Sequence, residues 1–272
     1  MNVVKYGLIT GILLSSSCFS QIKLPIVPDL STSPLQQATR AWPTVEMLSA
    51  PDGLRPCCAF GYNLKAQALG IPVPLYQLNN VVEADGLGEH HYNDSLLGAV
   101  ANLMGISSEQ DGLLYTAHGG FIDIAHVRDT ADMTLFLFSQ IWPRLGQEQT
   151  IVLSEELAQR HIQLFAFTPP QNEAERFTLA AYLSSYLAFQ VAAWHEIAQW
   201  YGFESVPGFS EGISAFSPED LYSNLLGARL AASLILQGHL DMVCEKDPEL
   251  EFDFAKDAIQ PYIDGDDIRA RG

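Results

Sequence analysis

Positive charge is what this chain has least of: 14 Lys and Arg stand against 32 Asp and Glu in 272 residues, a formal charge of −18. With no basic stripe to neutralise phosphates, nucleic acid and anionic lipid surfaces are not expected partners. Such acidity mainly serves solubility. No unit of roughly 20 to 50 residues repeats, which excludes solenoids and propellers. No linker rich in polar residues, Pro or Gly divides the chain, so a single domain is expected. Cysteine is scarce too, at four residues, and these form no thiolate cluster. A long membrane-spanning run is also lacking. The best stretch, Phe177 to Trp194, just reaches spanning length, but Thr178, Ser184, Ser185 and Gln190 lower its hydropathy, and Arg176 and His195 close it. It reads as the central helix of a soluble domain.

What is present begins with a targeting pattern. In MNVVKYGLITGILLSSSCFSQ, Lys5 precedes an apolar run from Tyr6 to Leu14 and then small residues to Ser20, the layout of an export signal. Residues 1–20 are therefore expected to be a signal peptide, 21–53 an irregular segment, and 54–272 a single helical domain. Cys18 follows three serines like a lipoprotein acylation site, although Leu14 sits one position too far back. The alternative is cleavage after Ser20. The expected location is periplasmic or lipid-anchored in the cell envelope, with membrane contact only through an anchor at Cys18.

Export makes the remaining cysteines, Cys57, Cys58 and Cys244, candidates for pairing. Adjacent Cys57 and Cys58 could bridge only through a strained ring, so a bond from one of them to Cys244 is the commoner expectation. They also read as small buried hydrophobes, or as a redox pair.

The rest of the pattern is mainly helical, with some strand. Periodicity and caps predict a helix between Asp94 and Gly105, a short strand or turn ending at Gly119–Gly120, and a helix from about Asp123 to Trp142. QTIVLSE and HIQLFAFTP alternate like an antiparallel hairpin. A further helix follows Pro169–Pro170 and stops at Gly202, and the last opens with Ser217 as cap, Pro218 first and Asp220 completing a capping box. The expected fold is mainly α (α+β): helices packed around a buried central helix, with a small antiparallel hairpin.

The chemistry concentrates on that central helix, at AAWHEIAQWYGF. Small residues Ala181, Ser185, Ala188 and Ala192 lead along one stripe to His195 and Gln199, while Glu196 lies on a stripe with Tyr182, Tyr186, Phe189 and Trp200. His195–Glu196 matches half of the HExxH metallohydrolase pattern, but Gln199 fills the second histidine position, so other ligands must come from elsewhere. HGGFIDIAHVRDTAD supplies them: His126 and Asp129 share a face, and Asp123 stands at the helix start, where a carboxylate also serves as an ordinary cap. Arg128 is placed to stabilise developing negative charge, or to pair with Asp132 one turn on. His118, before two glycines, and His91, in an expected loop with His90, complete the candidate donors. Glu219 and Asp220 fit the blander duty of helix capping.

Four of these motifs in order, RPCCAFG, GGFIDIAHVRD, HEIAQWYG and FSPEDLYSNLLG, resemble a bacterial envelope family known as domain of unknown function 4056, from about Leu54 to Leu236. The resemblance implies export, a single domain and motif positions that include Cys57, Cys58, Asp123, His126, Arg128, Asp129, His195, Glu196, Glu219, Asp220 and Asn224. It implies no reaction. The reading of the residues themselves is a zinc-dependent hydrolase acting on a small molecule, peptide or envelope component. Its ligands would be His195, His126, Asp129 and His91, with Glu196 as general base. The competing reading is a non-catalytic envelope binding or assembly protein whose His195–Glu196 pair belongs to a buried polar network.

Overall fold

The computed structural model describes residues 47–51, 65–68, 71–74, 81–83, 87, 90, 92–93, 112–116, 120–205, 209–212 and 214–237. The expected helix between Asp94 and Gly105, all four cysteines and residues 1–20 lie outside the described residues.

Two strands lead into the first helix. β4 (Leu113–Thr116) and β5 (Gly120–Asp123) pair antiparallel, Leu113 opposite Asp123, and β3 (Val81–Val82) joins β4 in parallel. Gly120, at φ +70°, opens the returning strand in a conformation few other residues adopt. β5 passes without a loop into α1 (Ile124–Ile141), because Asp123 is both its last residue and the helix cap. Its extended backbone turns the carboxylate back to accept from the amides of Ala125 and His126 at 2.9 and 3.3 Å. Pro143, without an N–H, ends the helix in a short 3₁₀ turn.

β6 (Gln149–Val152) and β7 (His161–Leu164) form the expected antiparallel hairpin. α2 (Glu173–Trp200) starts at Asn172, whose side chain caps Ala174 and Glu175, with Glu173 and Glu175 in the dipole-favoured first turn. It stops where Gly202 takes φ +93°. There Gly202 and Phe203 donate back to the carbonyls of Gln199 and Ala198 at 3.0 and 2.9 Å, a Schellman closure. β1 (Lys65–Ala68) pairs with β2 (Ile71–Pro74) on one side and with β8 (Phe209–Ser210) on the other, all antiparallel. α3 (Pro218–Gln237) follows.

The described residues form an α+β fold with three helices and short sheets. The helix enclosed on every side is α1, all of whose residues are buried. α2, expected at the centre, buries its small-residue stripe against its neighbours but exposes Tyr186, Trp194 and Trp200. The aromatic stripe beside Glu196 therefore partly faces solvent instead of wrapping the carboxylate. Phe138, Phe177 and Trp142 knit α1 to α2 by edge contacts with ring centroids 5.1 and 5.2 Å apart. Each such buried ring stabilises by roughly 2 to 3 kcal/mol. α1 and α3 approach closely at Gly227, where an added Cβ would lie 2.1 Å from the Val127 carbonyl oxygen. That approach places α3 directly beside His126 and Arg128, the neighbours of Val127. Among the described residues, no helix is long and apolar enough to cross a membrane.

Candidate metal centre

The strand-to-helix junction and the α1–α3 seam together assemble a buried trio. Asp123 stands at the junction, His126 follows one turn into α1, and Asp220 projects from the first turn of α3. One ligand atom from each lies within 4.8 Å of the others, and all three residues are fully buried. Two hydrogen bonds fix the seam around them: the Asp123 amide donates to Ser223 Oγ at 2.8 Å, and Thr130 Oγ1 donates to Asn224 Oδ1 at 2.6 Å.

His126 Nε2 is 3.7 Å from Asp220 Oδ1, too far for a hydrogen bond. Neither ring nitrogen of His126 has a hydrogen-bond partner. With metal bonds near 2 Å, ligand atoms on one edge of a tetrahedron are separated by roughly 3.3 Å, so the observed spacing suits an ion better than a proton. Burial alone would push the imidazole toward neutrality. The carboxylates of Asp220, Asp123, Glu196 and Asp129 overrule it and raise its pKa from 6.5 to about 9. Four carboxylates thus bear on one imidazole, and this Asp–His–Asp group could hold a metal ion.

Glu196 reaches this centre from α2. Its Oε2 accepts from the amide of Phe216 at 2.7 Å, while Oε1, also buried, has no hydrogen-bond partner. Phe216 presents that amide from φ +64°, a conformation that costs a bulky residue about 1 to 3 kcal/mol.

His195 does not join the trio. Its Nδ1 meets Glu156 Oε1 at 3.1 Å, and Glu156 Oε2 forms an ion pair with Arg160 Nη1 at 2.8 Å. The three side chains are at least nine-tenths buried. The Glu156 side chain points inward from a tight turn in which Leu157 adopts φ +57°. His195 Nε2 has no hydrogen-bond partner, and the ring packs edge-on against Phe203 with centroids 5.8 Å apart.

Asp129, almost fully buried, lines a small internal void with Glu156 and Arg160, and so lies between the two clusters. Arg128 is fully buried and donates from Nη2 to the Leu87 carbonyl at 3.2 Å. The pairing of Arg128 with Asp132 does not form. Asp132 instead accepts from His90 Nε2 at 3.1 Å and the Asn93 amide at 2.8 Å, because a loop from outside the helix reaches it first. Gln199, in the second HExxH position, donates to Glu211 at 2.8 Å. Glu219 is half-buried, and its carbonyl takes the Ser223 hydroxyl. The capping reading of Asp220 gives way as well: the Ser217 hydroxyl makes no hydrogen bond, and the Asp220 carboxylate turns toward His126. His91, His118, Cys57 and Cys58 lie outside the described residues.

Sequence reasoning left Asp220 with the caps and passed over Glu156 and Arg160. The usable signal for Asp220 was its face of α3, where Ser223, Asn224 and Gly227 recur at helical spacing as small or polar residues. Glu156, in a three-residue turn, carries no periodic signal.

A family model described as "Protein of unknown function (DUF4056)" matches residues 45–252. Over 39 residues, 14% of this chain, the sequence is 56% identical to the cytosol non-specific dipeptidase of Escherichia coli (strain K12). The match spans 8% of that protein's length. No solved structure matches the chain significantly.

Proposed function

The chain belongs to the DUF4056 family of proteins of unknown function, and from that premise we propose that it is a metal-dependent hydrolase, with zinc as the ion. Asp123, His126 and Asp220 would hold the metal. One observation carries the reading: a buried imidazole that no hydrogen bond satisfies stands between two carboxylates at ligand spacing. One imidazole and two carboxylates suit zinc and leave a coordination position open. When bound, such an ion supplies Lewis acidity toward a carbonyl or phosphoryl oxygen.

The protein's own groups divide the remaining work. Asp123 is held in place by its cap bonds and therefore presents its carboxylate in one orientation. Glu196, anchored through Oε2, keeps Oε1 available to take a proton from water. Asp129 adds negative charge that favours a cation at His126. Arg128, engaged by the Leu87 carbonyl, has a supporting role in the packing around the seam. Residues 1–20 favour a place in the cell envelope, periplasmic or tethered at Cys18, and a small molecule, peptide or envelope component as substrate. The dipeptidase likeness is too short to bring an activity with it.

Complete burial of the trio favours a second reading, a structural ion or polar network without catalysis. Mass spectrometry for metals on protein purified without chelator or histidine tag separates these readings. About one ion per chain is expected, falling to near zero in His126→Ala and Asp220→Asn. Glu196→Gln should keep the ion and the fold and lose hydrolysis across a panel of ester and dipeptide substrates. A metal-free wild type rejects the proposal, and full metal content with no hydrolysis in wild type leaves the structural ion.

A further inference from the structure

A second feature, which shares Arg160 and Val191 with the internal void, is a surface cleft of about 300 Å3 between the β6–β7 hairpin and α2. That volume lies at the lower end of ligand pockets, which run roughly from 300 to 1,000 Å3. Leu153 and Ile162 from the hairpin and Leu187, Val191 and Trp194 from α2 give the cleft an apolar lining, which Gln159, His161 and Gln190 interrupt with polar groups. Arg160 is its charged group and is only 9% exposed.

Guanidinium carries five N–H donors. In Arg160, Nε donates to the Ser154 carbonyl at 2.8 Å, Nη2 to Ser154 Oγ at 2.9 Å, and Nη1 is paired with Glu156. Two donors remain on a side chain largely shut off from water. A buried donor without an acceptor is costly, and the planar fork of arginine fits a carboxylate. Val191 and Arg160 line both the cleft and the internal void that Asp129 shares, and Glu156 connects Arg160 to His195. An occupant of the cleft would thus be linked to the histidine through two side chains, Arg160 and Glu156.

We propose that this cleft binds a small amphipathic acid, with its carboxylate on the spare Arg160 donors and an apolar side chain against Trp194, Leu187 and Val191. The chemistry is that of a C-terminal aliphatic amino-acid residue. This site is separate from the metal centre.

The probe is N-acetyl-L-leucine, titrated into the full-length chain after the metal has been stripped, with saturation-transfer NMR as the readout. Stripping keeps the outcome independent of whether the metal proposal holds. Saturable binding is expected, at least tenfold tighter than for N-acetyl-L-leucinamide. Arg160→Lys, which retains a cation beside Glu156 and has fewer donors, should weaken the acid about tenfold and leave the amide unchanged. Leu187→Trp fills the cleft without touching the ion pair and should abolish binding. No saturable binding, equal affinity for acid and amide, or binding that survives Leu187→Trp would overturn the proposal.

Discussion

Two buried histidines, His126 and His195, meet carboxylates in opposite ways. At His195 the contact is short, 3.1 Å to Glu156, and Arg160 balances the acid at 2.8 Å. At His126 the Asp220 carboxylate stays 3.7 Å from Nε2, neither ring nitrogen is hydrogen-bonded, and the carboxylates of Asp123, Asp129, Glu196 and Asp220 all bear on the ring. The first arrangement is close to electrically complete, and its atoms are drawn together. The second holds its groups apart, with four carboxylates bearing on one unbonded imidazole. In a dry interior, spacing and charge balance, more than residue type, distinguish a structural pair from a site prepared for a cation.

The contrast can be broken most forcefully at Glu156. Glu156→Ala leaves the Arg160 charge buried without its partner and should cost about 3 to 5 kcal/mol, seen as a large fall in the midpoint of thermal unfolding. Asp220→Asn, beside His126, should remove the bound ion and, compared in metal-stripped protein, should lower that midpoint less than Glu156→Ala, because the amide keeps the side chain's shape and leaves no buried charge without its partner. Equal losses in the two variants would erase the distinction. Next in size is Gly227→Ala. Its methyl would sit against the Val127 backbone, so α3 must back away, at a cost of about 1 to 3 kcal/mol, and metal content should fall together with stability.

A pH series sharpens the same comparison. In metal-stripped protein, His126 has a folded pKa of about 9 against an ordinary 6.5. Its stabilising contribution is therefore whole below pH 6.5 and is lost as pH rises through 9. A metal ion must displace that proton, so apparent affinity should climb close to tenfold per pH unit up to about pH 9 and then level off. Metal titrations between pH 6 and 10, followed by calorimetry, would show the slope. An affinity independent of pH would separate the ion from His126. The smallest effect belongs to the turn that supplies Glu156: Leu157→Gly removes the strain of a left-handed leucine and should stabilise by about 1 kcal/mol, measured by urea unfolding.

Local signals carried much of the fold. Asp123, Asn172 and Gly202 mark helix ends by side-chain and backbone chemistry confined to a few residues, and the structure places α1 and α2 close to the expected limits. The β6–β7 hairpin was legible for the same reason. Which helix sits at the centre was not, because composition shows how apolar a helix is and not how many neighbours enclose it. At the site, Asp123 and His126 fall within one turn and could be linked by spacing. Asp220 is 94 positions beyond His126 and looked like a cap, since its helix is brought into place by tertiary contacts at Ser223, Asn224 and Gly227. Asp132 was misjudged in the same manner: helical spacing offered Arg128, whereas the tertiary fold supplied His90 and Asn93.

The close contact at Gly227 bears on timing as well as on position. With the trio fully enclosed and α3 close against the Val127 backbone, an ion seated there would leave only through local opening of the packing around the seam. Its residence time would then follow the opening rate of the seam rather than ligand strength, and a chelator added outside would empty the protein no faster than the seam breathes.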